Sequence, residues 1–147
     1  MSMLRKVLPN FRWENVDLRA YKDEATSPYR SVTRQVLASA PDLAGELRYF
    51  EVAPGGWTTL ERHSHVHAVT ILRGSGRALV GHEVMEIGAL DLVTVPASTW
   101  HQFRATAHEP LGFLCMVDAQ RDRPQLPTPE QRAELEAIPE VAQFFGA

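Results

Sequence analysis

Between residues 30 and 118 the chain is cut into short runs too closely spaced for helices. Runs rich in β-branched and aromatic residues follow one another: Arg30–Leu37, Glu46–Val52, Trp57–His63, His67–Arg73, Arg77–Val80, Glu83–Ile87, Asp91–Val95, Trp100–Arg104 and Leu111–Val117. Such side chains suit a pleated, half-buried surface. Turn formers fall between nearly all of them: Pro41-Asp42, Pro54-Gly55-Gly56, Gly74-Ser75-Gly76, Gly81-His82, Gly88, Pro96-Ala97-Ser98 and Glu109-Pro110. Many short strands joined by Gly and Pro turns predict an all-β sandwich or barrel over residues 30–118.

The flanks read differently. Residues 1–29 are polar and mixed, an N-terminal arm leading into the barrel. Residues 119–147 are proline-rich and then helical, an extension of the same domain. Thr128-Pro129-Glu130-Gln131 is a helix start, with Thr128 as N-cap, Pro129 at the first position and Gln131 placed to complete a capping box. That helix is expected to reach about Ala137 and to stop before Pro139. A second short amphipathic turn, Val141–Phe145, is expected to pack its two phenylalanines on the barrel or on a partner.

Composition excludes several classes of function. A net charge of -3 with six neutral histidines offers no basic footprint for nucleic acid or an anionic membrane. The apolar run Leu111–Val117 is far short of the ~20 residues that span a bilayer. The N-terminal MSMLRKVLPNFRWENVD lacks an apolar stretch of signal-peptide length. The single cysteine, Cys115, cannot form a disulfide within the chain and reads as a small buried hydrophobe. These features predict a soluble, cytoplasmic protein.

The chemistry is concentrated in Pro54–His67. Three of the six histidines lie within five residues, as His63-Ser64-His65-Val66-His67, with Glu61 just before them. Side chains alternate along a strand, so Glu61, His63, His65 and His67 would share a face if the strand continued. Neutral imidazoles and a carboxylate converging on one face can hold a divalent first-row cation. The simpler accounts are an exposed polar strand or an interface that senses pH.

The spacing resembles that of the cupin superfamily. Its first motif is Gly, five residues, His-x-His, three or four residues, Glu, six residues, Gly. Here Gly55 is followed by five residues, Glu61-Arg62-His63, three residues, His67, six residues and Gly74. Glu61 stands where the first His is usual, and His67 where Glu is usual. The second motif is Gly, five residues, Pro-x-Gly, two residues, His, three residues, Asn. Pro96-Ala97-Ser98-Thr99-Trp100-His101 matches it, with Leu90 and Ser98 at the two glycine positions and Ala105 at the asparagine. The resemblance covers roughly residues 46–118.

That resemblance implies a double-stranded β-helix, the jelly-roll barrel, with the helical tail appended. It implies one divalent transition metal ion (Mn, Fe, Ni, Co or Zn) held by Glu61, His63, His67 and His101. The open alternative is that His63, His65 and His67 bind and Glu61 does not. Glu61 is the candidate catalytic group, an adaptable ligand able to accept a proton. Trp57 and Thr59 share the face expected for Glu61, and Phe103 that of His101, so these three are candidate substrate-lining residues, although ordinary barrel core is an equally good account of Trp57 and Thr59. Arg34, Arg48 and Gln102 could orient an anionic ligand, although solvated strand faces are the simpler account. His82 and His108 sit beside turns and are expected to be exposed. The expected function is metal-dependent chemistry of dioxygenase type on a small organic molecule. The alternative is a non-catalytic binding or sensing module. Small members of the superfamily commonly dimerise, so a homodimer is expected.

Overall fold

The strand runs curl because each buries one face. A computed structural model describes residues 3–22 and 29–146; of the expected arm, residues 1, 2 and 23–28 lie outside it. Three two-residue strands open the chain: β1 (Val7–Leu8), β2 (Arg12–Trp13) and β3 (Arg19–Ala20). The main strands are β4 (Arg30–Ala38), β5 (Gly45–Trp57), β6 (His67–Arg73), β7 (Ser75–Val80), β8 (Glu83–Gly88), β9 (Leu92–Val95), β10 (His101–Ala105) and β11 (Leu111–Asp118). Helices α1 (Pro129–Glu136) and α2 (Pro139–Gly146) close it.

The hydrogen-bonded path runs β8-β7-β10-β5-β11-β6-β9, with β4 also on β5 and β3 on β4. The pairings are antiparallel. The path curls into the expected jelly-roll barrel around Val52, Val69, Ile71, Ala78, Val95, Phe103, Leu111 and Phe113. A second cluster joins the helical tail to the barrel: Leu135, Val141 and Phe144 pack with Leu60 and Leu79. Phe144 is fully buried, so the tail phenylalanine serves the barrel, and truncating it to Ala costs about 3–5 kcal/mol. The capping box forms as the sequence indicates, with the Thr128 side chain accepting from Gln131 N.

The lead-in is irregular but docked. Buried Gln35 accepts from Trp13 N and donates to the Phe11 carbonyl. The Phe11 ring stacks on Tyr49 at 5.8 Å. Beyond it, the pairing of Arg19–Ala20 with Thr33–Arg34 carries Tyr21 and Lys22 to the barrel.

The expected strand Trp57–His63 does not form. Pro54-Gly55-Gly56, read as a turn, lies inside β5. Gly55 adopts φ 73°, its N–H donates to the Thr106 carbonyl at 2.7 Å, and the strand runs on to Trp57. Past Trp57 the chain follows β10 irregularly. Trp57 pairs with Arg104 and Glu61 bridges His101, so four steps on one side meet three on the other. The extra residue is a bulge, and the Phe103 N–H donates to the Thr58 hydroxyl. Thr58 is thereby brought to the Glu61 side, displacing Trp57 and Thr59.

The four positions that take glycine in the two motifs share one backbone geometry. Gly55 and Gly74 have φ 73° and 75°, and Leu90 and Ser98 have φ 72° and 56°. Leu90 and Ser98 therefore keep the left-handed turn despite carrying side chains.

Candidate metal centre

Four imidazoles converge at the mouth of the barrel. His63 and His65 come from the bend after the bulge, His67 opens β6 and His101 opens β10. All four are buried. His63 stacks on His67 at 4.1 Å and on His65 at 4.2 Å between ring centres. The ring of His101 crosses that of His63 at 4.8 Å and 59°. One nitrogen from each of His63, His67 and His101 lies within 4.8 Å of the others.

Burial keeps the rings of His63, His67 and His101 neutral. It pushes His63 down to about 3, with His101 and His65 adding repulsion. His67 and His101 are lowered as well, again chiefly by burial. A neutral imidazole offers one lone pair, and the partners fix which nitrogen carries it. His101 Nδ1 lies 3.0 Å from the Thr99 carbonyl, which only accepts, so Nε2 is left to bind. His65 Nδ1 lies 2.9 Å from the Asp122 carboxylate, freeing its Nε2 in the same way. That Nε2 faces His67 Nε2 at 3.0 Å. Asp122 also accepts the Ser64 N–H at 3.0 Å, which holds its carboxyl below the usual range. Such anchoring of the second ring nitrogen is usual for metal-binding histidines. His101 and His65 have it, whereas the Nδ1 of His63 is buried without a partner among the described residues and that of His67 faces the Cys115 thiol. The nitrogens of His63, His67 and His101 still lie within 4.8 Å of one another. The donor set therefore fits a divalent first-row ion.

Glu61 is adjacent but occupied. Its carboxylate forms an ion pair with Lys22 and accepts from the Tyr21 hydroxyl at 3.4 Å. One oxygen lies 3.9 Å from His63 Nε2. Burial and the Glu61 charge push the Tyr21 phenol up, so it remains a donor. Behind His67, Cys115 Sγ lies 3.4 Å from Nδ1 and 3.6 Å from an Arg48 guanidinium nitrogen. Burial raises this thiol, which stays protonated.

The cavity above the histidines is about 100 Å³, room for several waters or a small substrate. Tyr21, Lys22, Thr58, Glu61, Phe103 and Cys115 line it together with the four histidines. Phe103 stands where the sequence places it. Trp57 and Thr59 do not line this cavity, because the bulge turns them away. Trp57 instead carries the guanidinium groups of Arg30 and Arg104 at 5.4 and 4.7 Å from its ring centre. Thr59 is buried elsewhere. Gln102 is held by the Thr58 carbonyl and the Arg104 guanidinium rather than facing the cavity. His82 and His108 are exposed, as expected. Sequence reasoning missed Tyr21, Lys22, Thr58 and Asp122. The bulge alone had a readable signal, the paired glycines at 55 and 56.

Among the described residues no helix is long and apolar enough to cross a membrane. The profile of the cupin domain matches residues 48–117. A curated relative from Rhodospirillum rubrum, named 1-methylthio-D-xylulose 5-phosphate methylsulfurylase, is 60% identical over 92% of this chain and 86% of its own. A crystal structure of a cupin-2 domain protein from Rhodospirillum rubrum matches with TM-score 0.88 and 60% identity, covering 92% of this chain and 91% of that one. A cupin 2 conserved barrel domain protein from Rhodopseudomonas palustris matches with TM-score 0.91 and 51% identity, covering 96% of this chain and 97% of its own. Identity at this level over nearly the whole length extends the two-motif resemblance into the arm and the helical tail: the chain belongs to the cupin superfamily.

Proposed function

We propose that the protein is a metal-dependent enzyme acting on a methylthio-substituted ketose phosphate. The observation that carries this reading is the 60% identity to the Rhodospirillum rubrum methylsulfurylase over 92% of the chain, joined to a buried histidine cluster that opens on a cavity. That relative's substrate name places a methylthio group beside a ketone and a phosphate at the far end. When the methylthio group passes to a thiol, which gives up its proton, the electron pair of the broken carbon–sulfur bond stays on carbon and the neighbouring ketone takes up that density until the carbon is protonated.

His63, His67 and His101 would hold the ion, with His65 or Glu61 completing the set. A bound divalent cation supplies Lewis acidity toward substrate oxygens. Glu61 is the group placed to accept a proton from the substrate, and Lys22 and Tyr21 keep its carboxylate aimed into the cavity. Phe103, Phe113 and Val69 form the apolar wall that excludes water. His65, tied to Asp122, stiffens the bend that presents His63.

The test is direct. Protein loaded separately with Mn, Fe, Co, Ni or Zn is incubated with 1-methylthio-D-xylulose 5-phosphate, with and without a small thiol. The S-methyl proton resonance is followed by NMR. Metal-dependent loss of that resonance from the substrate is expected; intact substrate under every condition overturns the reading.

Chemistry of dioxygenase type is the second reading, favoured by the three-histidine group with a carboxylate beside it. Oxygen uptake by Fe- or Mn-loaded protein with catechols, diketones and flavonols would support it. No uptake would remove it.

A further inference from the structure

One end of the cavity is built from cations that the histidine cluster does not use. We propose that Arg34, Arg48 and Arg121 form the seat for a phosphate monoester, with Arg34 and Arg48 making the principal contacts. The proposal rests on the ketose phosphate reading and assigns that substrate its docking end.

All three arginines line the cavity. Arg34 and Arg48 stand on neighbouring strands, β4 and β5, and Arg121 follows β11. The carboxylates nearby are mostly engaged. Glu61 is held by Lys22, and Asp122 by Ser64 and His65. Among the described residues Glu46 alone faces this group, at 3.9 Å from Arg48 and 3.3 Å from Arg121. Beyond it, Arg19 lies close enough to repel Arg34 and is itself paired with Asp17.

Three guanidinium groups against one carboxylate leave two positive charges, and a phosphate monoester carries about -1.5 to -2 near neutral pH. The donors are also unsatisfied. Among the described residues the Arg34 side chain has no hydrogen bond or ion pair, and its Nε is buried without a partner. Among the described residues the Nε of Arg48 is likewise without a hydrogen bond, and its guanidinium donates to the thiol of Cys115. Holding like charges together with idle donors in a partly desolvated place is unfavourable. Burial and the neighbouring arginines already lower the pKa of Arg34. A tetrahedral dianion with several acceptor oxygens relieves both problems, and the planar guanidinium fork matches its geometry.

The position is also right. Arg48 touches Cys115, and Cys115 touches His67. One extended molecule can therefore place its phosphate on the arginines and its other end at the histidines.

The experiment is calorimetric titration of the metal-loaded full chain with D-xylulose 5-phosphate, D-xylulose and inorganic phosphate. Wild type, Arg34→Gln, Arg34→Lys and Arg48→Gln are compared. Arg34 is only half-buried, so its variants remain informative if Arg48→Gln fails to fold. Expected are binding of D-xylulose 5-phosphate, weakening by about tenfold or more in Arg34→Gln, partial recovery in Arg34→Lys, and competition by inorganic phosphate. D-Xylulose should bind more weakly and be indifferent to the substitution. Affinity for both phosphate-bearing probes within about twofold of wild type in Arg34→Gln and Arg48→Gln, at unchanged metal content, would overturn the seat. So would failure of wild type to bind either. Arg34-dependent binding of inorganic phosphate without binding of the sugar phosphate would uphold the seat and defeat the ketose phosphate reading.

Discussion

His65 and His67 confront each other through their Nε2 atoms at 3.0 Å. Two neighbouring ligands each about 2.1 Å from a six-coordinate ion stand about 3.0 Å apart. Both oxygens of Glu61, by contrast, already have protein partners. The family spacing suggests Glu61 as the fourth ligand and the His65–His67 approach suggests His65, while the nitrogens that converge within 4.8 Å are those of His63, His67 and His101; we propose His65. His65→Ala is therefore expected to lose more bound metal than Glu61→Ala, measured by elemental analysis after dialysis. Near-stoichiometric metal in His65→Ala with loss in Glu61→Ala would restore the ligand set suggested by the motif.

Asp122 should matter to the metal without touching it. Its carboxylate orients His65 and pins the Ser64 N–H. Removing such an outer partner typically costs 10–100-fold in metal affinity. Asp122→Ala is expected to fall in that range by competition with a chromophoric chelator. An unchanged affinity would mean that His65 does not serve the ion.

Acid should weaken the chelated protein earlier than carboxylate titration alone would. His63 is pushed down to about 3, and His67 and His101 are also lowered, from an ordinary value of 6.5. Between the two values the unfolded chain binds protons that the folded chain refuses. Stability is therefore complete above about pH 6.5 and falls as pH drops toward 3. Melting temperature in the presence of EDTA should be flat near pH 7 to 8 and decline steadily below about pH 6.5. A flat profile down to about pH 5 would contradict the burial of neutral rings.

The two motif positions that lack glycine predict opposite mutational signs from those that have it. Leu90 is 79% exposed and held at φ 72°, so Leu90→Gly loses little packing. Relief of about 1–2 kcal/mol of left-handed strain outweighs about 0.4–1 kcal/mol of added chain entropy, for a gain near 1 kcal/mol. Gly74→Ala should do the reverse. A Cβ there would lie 1.9 Å from the Pro110 carbonyl oxygen, and a loss of about 3 kcal/mol or more is expected. Thermal unfolding of both variants at one pH and metal state decides the matter.

These residues also show what the sequence made legible. The histidines at 63, 67 and 101 could be read because their spacing to Gly55, Gly74 and Pro96 is short-range and rigid. The capping box at Thr128 and Gln131 was legible for the same local reason. Trp57 and Thr59 were misplaced because strict alternation holds only while the ladder is regular, and one inserted residue reverses it. Tyr21, Lys22 and Asp122 lie in stretches without period. They reach the site through pairings far away in sequence, Arg19–Ala20 with β4 and Arg62 with Gln125. No local pattern announces such a delivery.

The ion pair between Lys22 and Glu61 ties the lead-in to the chemistry. A fragment without the lead-in would leave the Glu61 carboxylate without its cation. The barrel is thus not a portable cassette. Grafting it into a chimera, or shaving its first two dozen residues during purification, would alter the pocket.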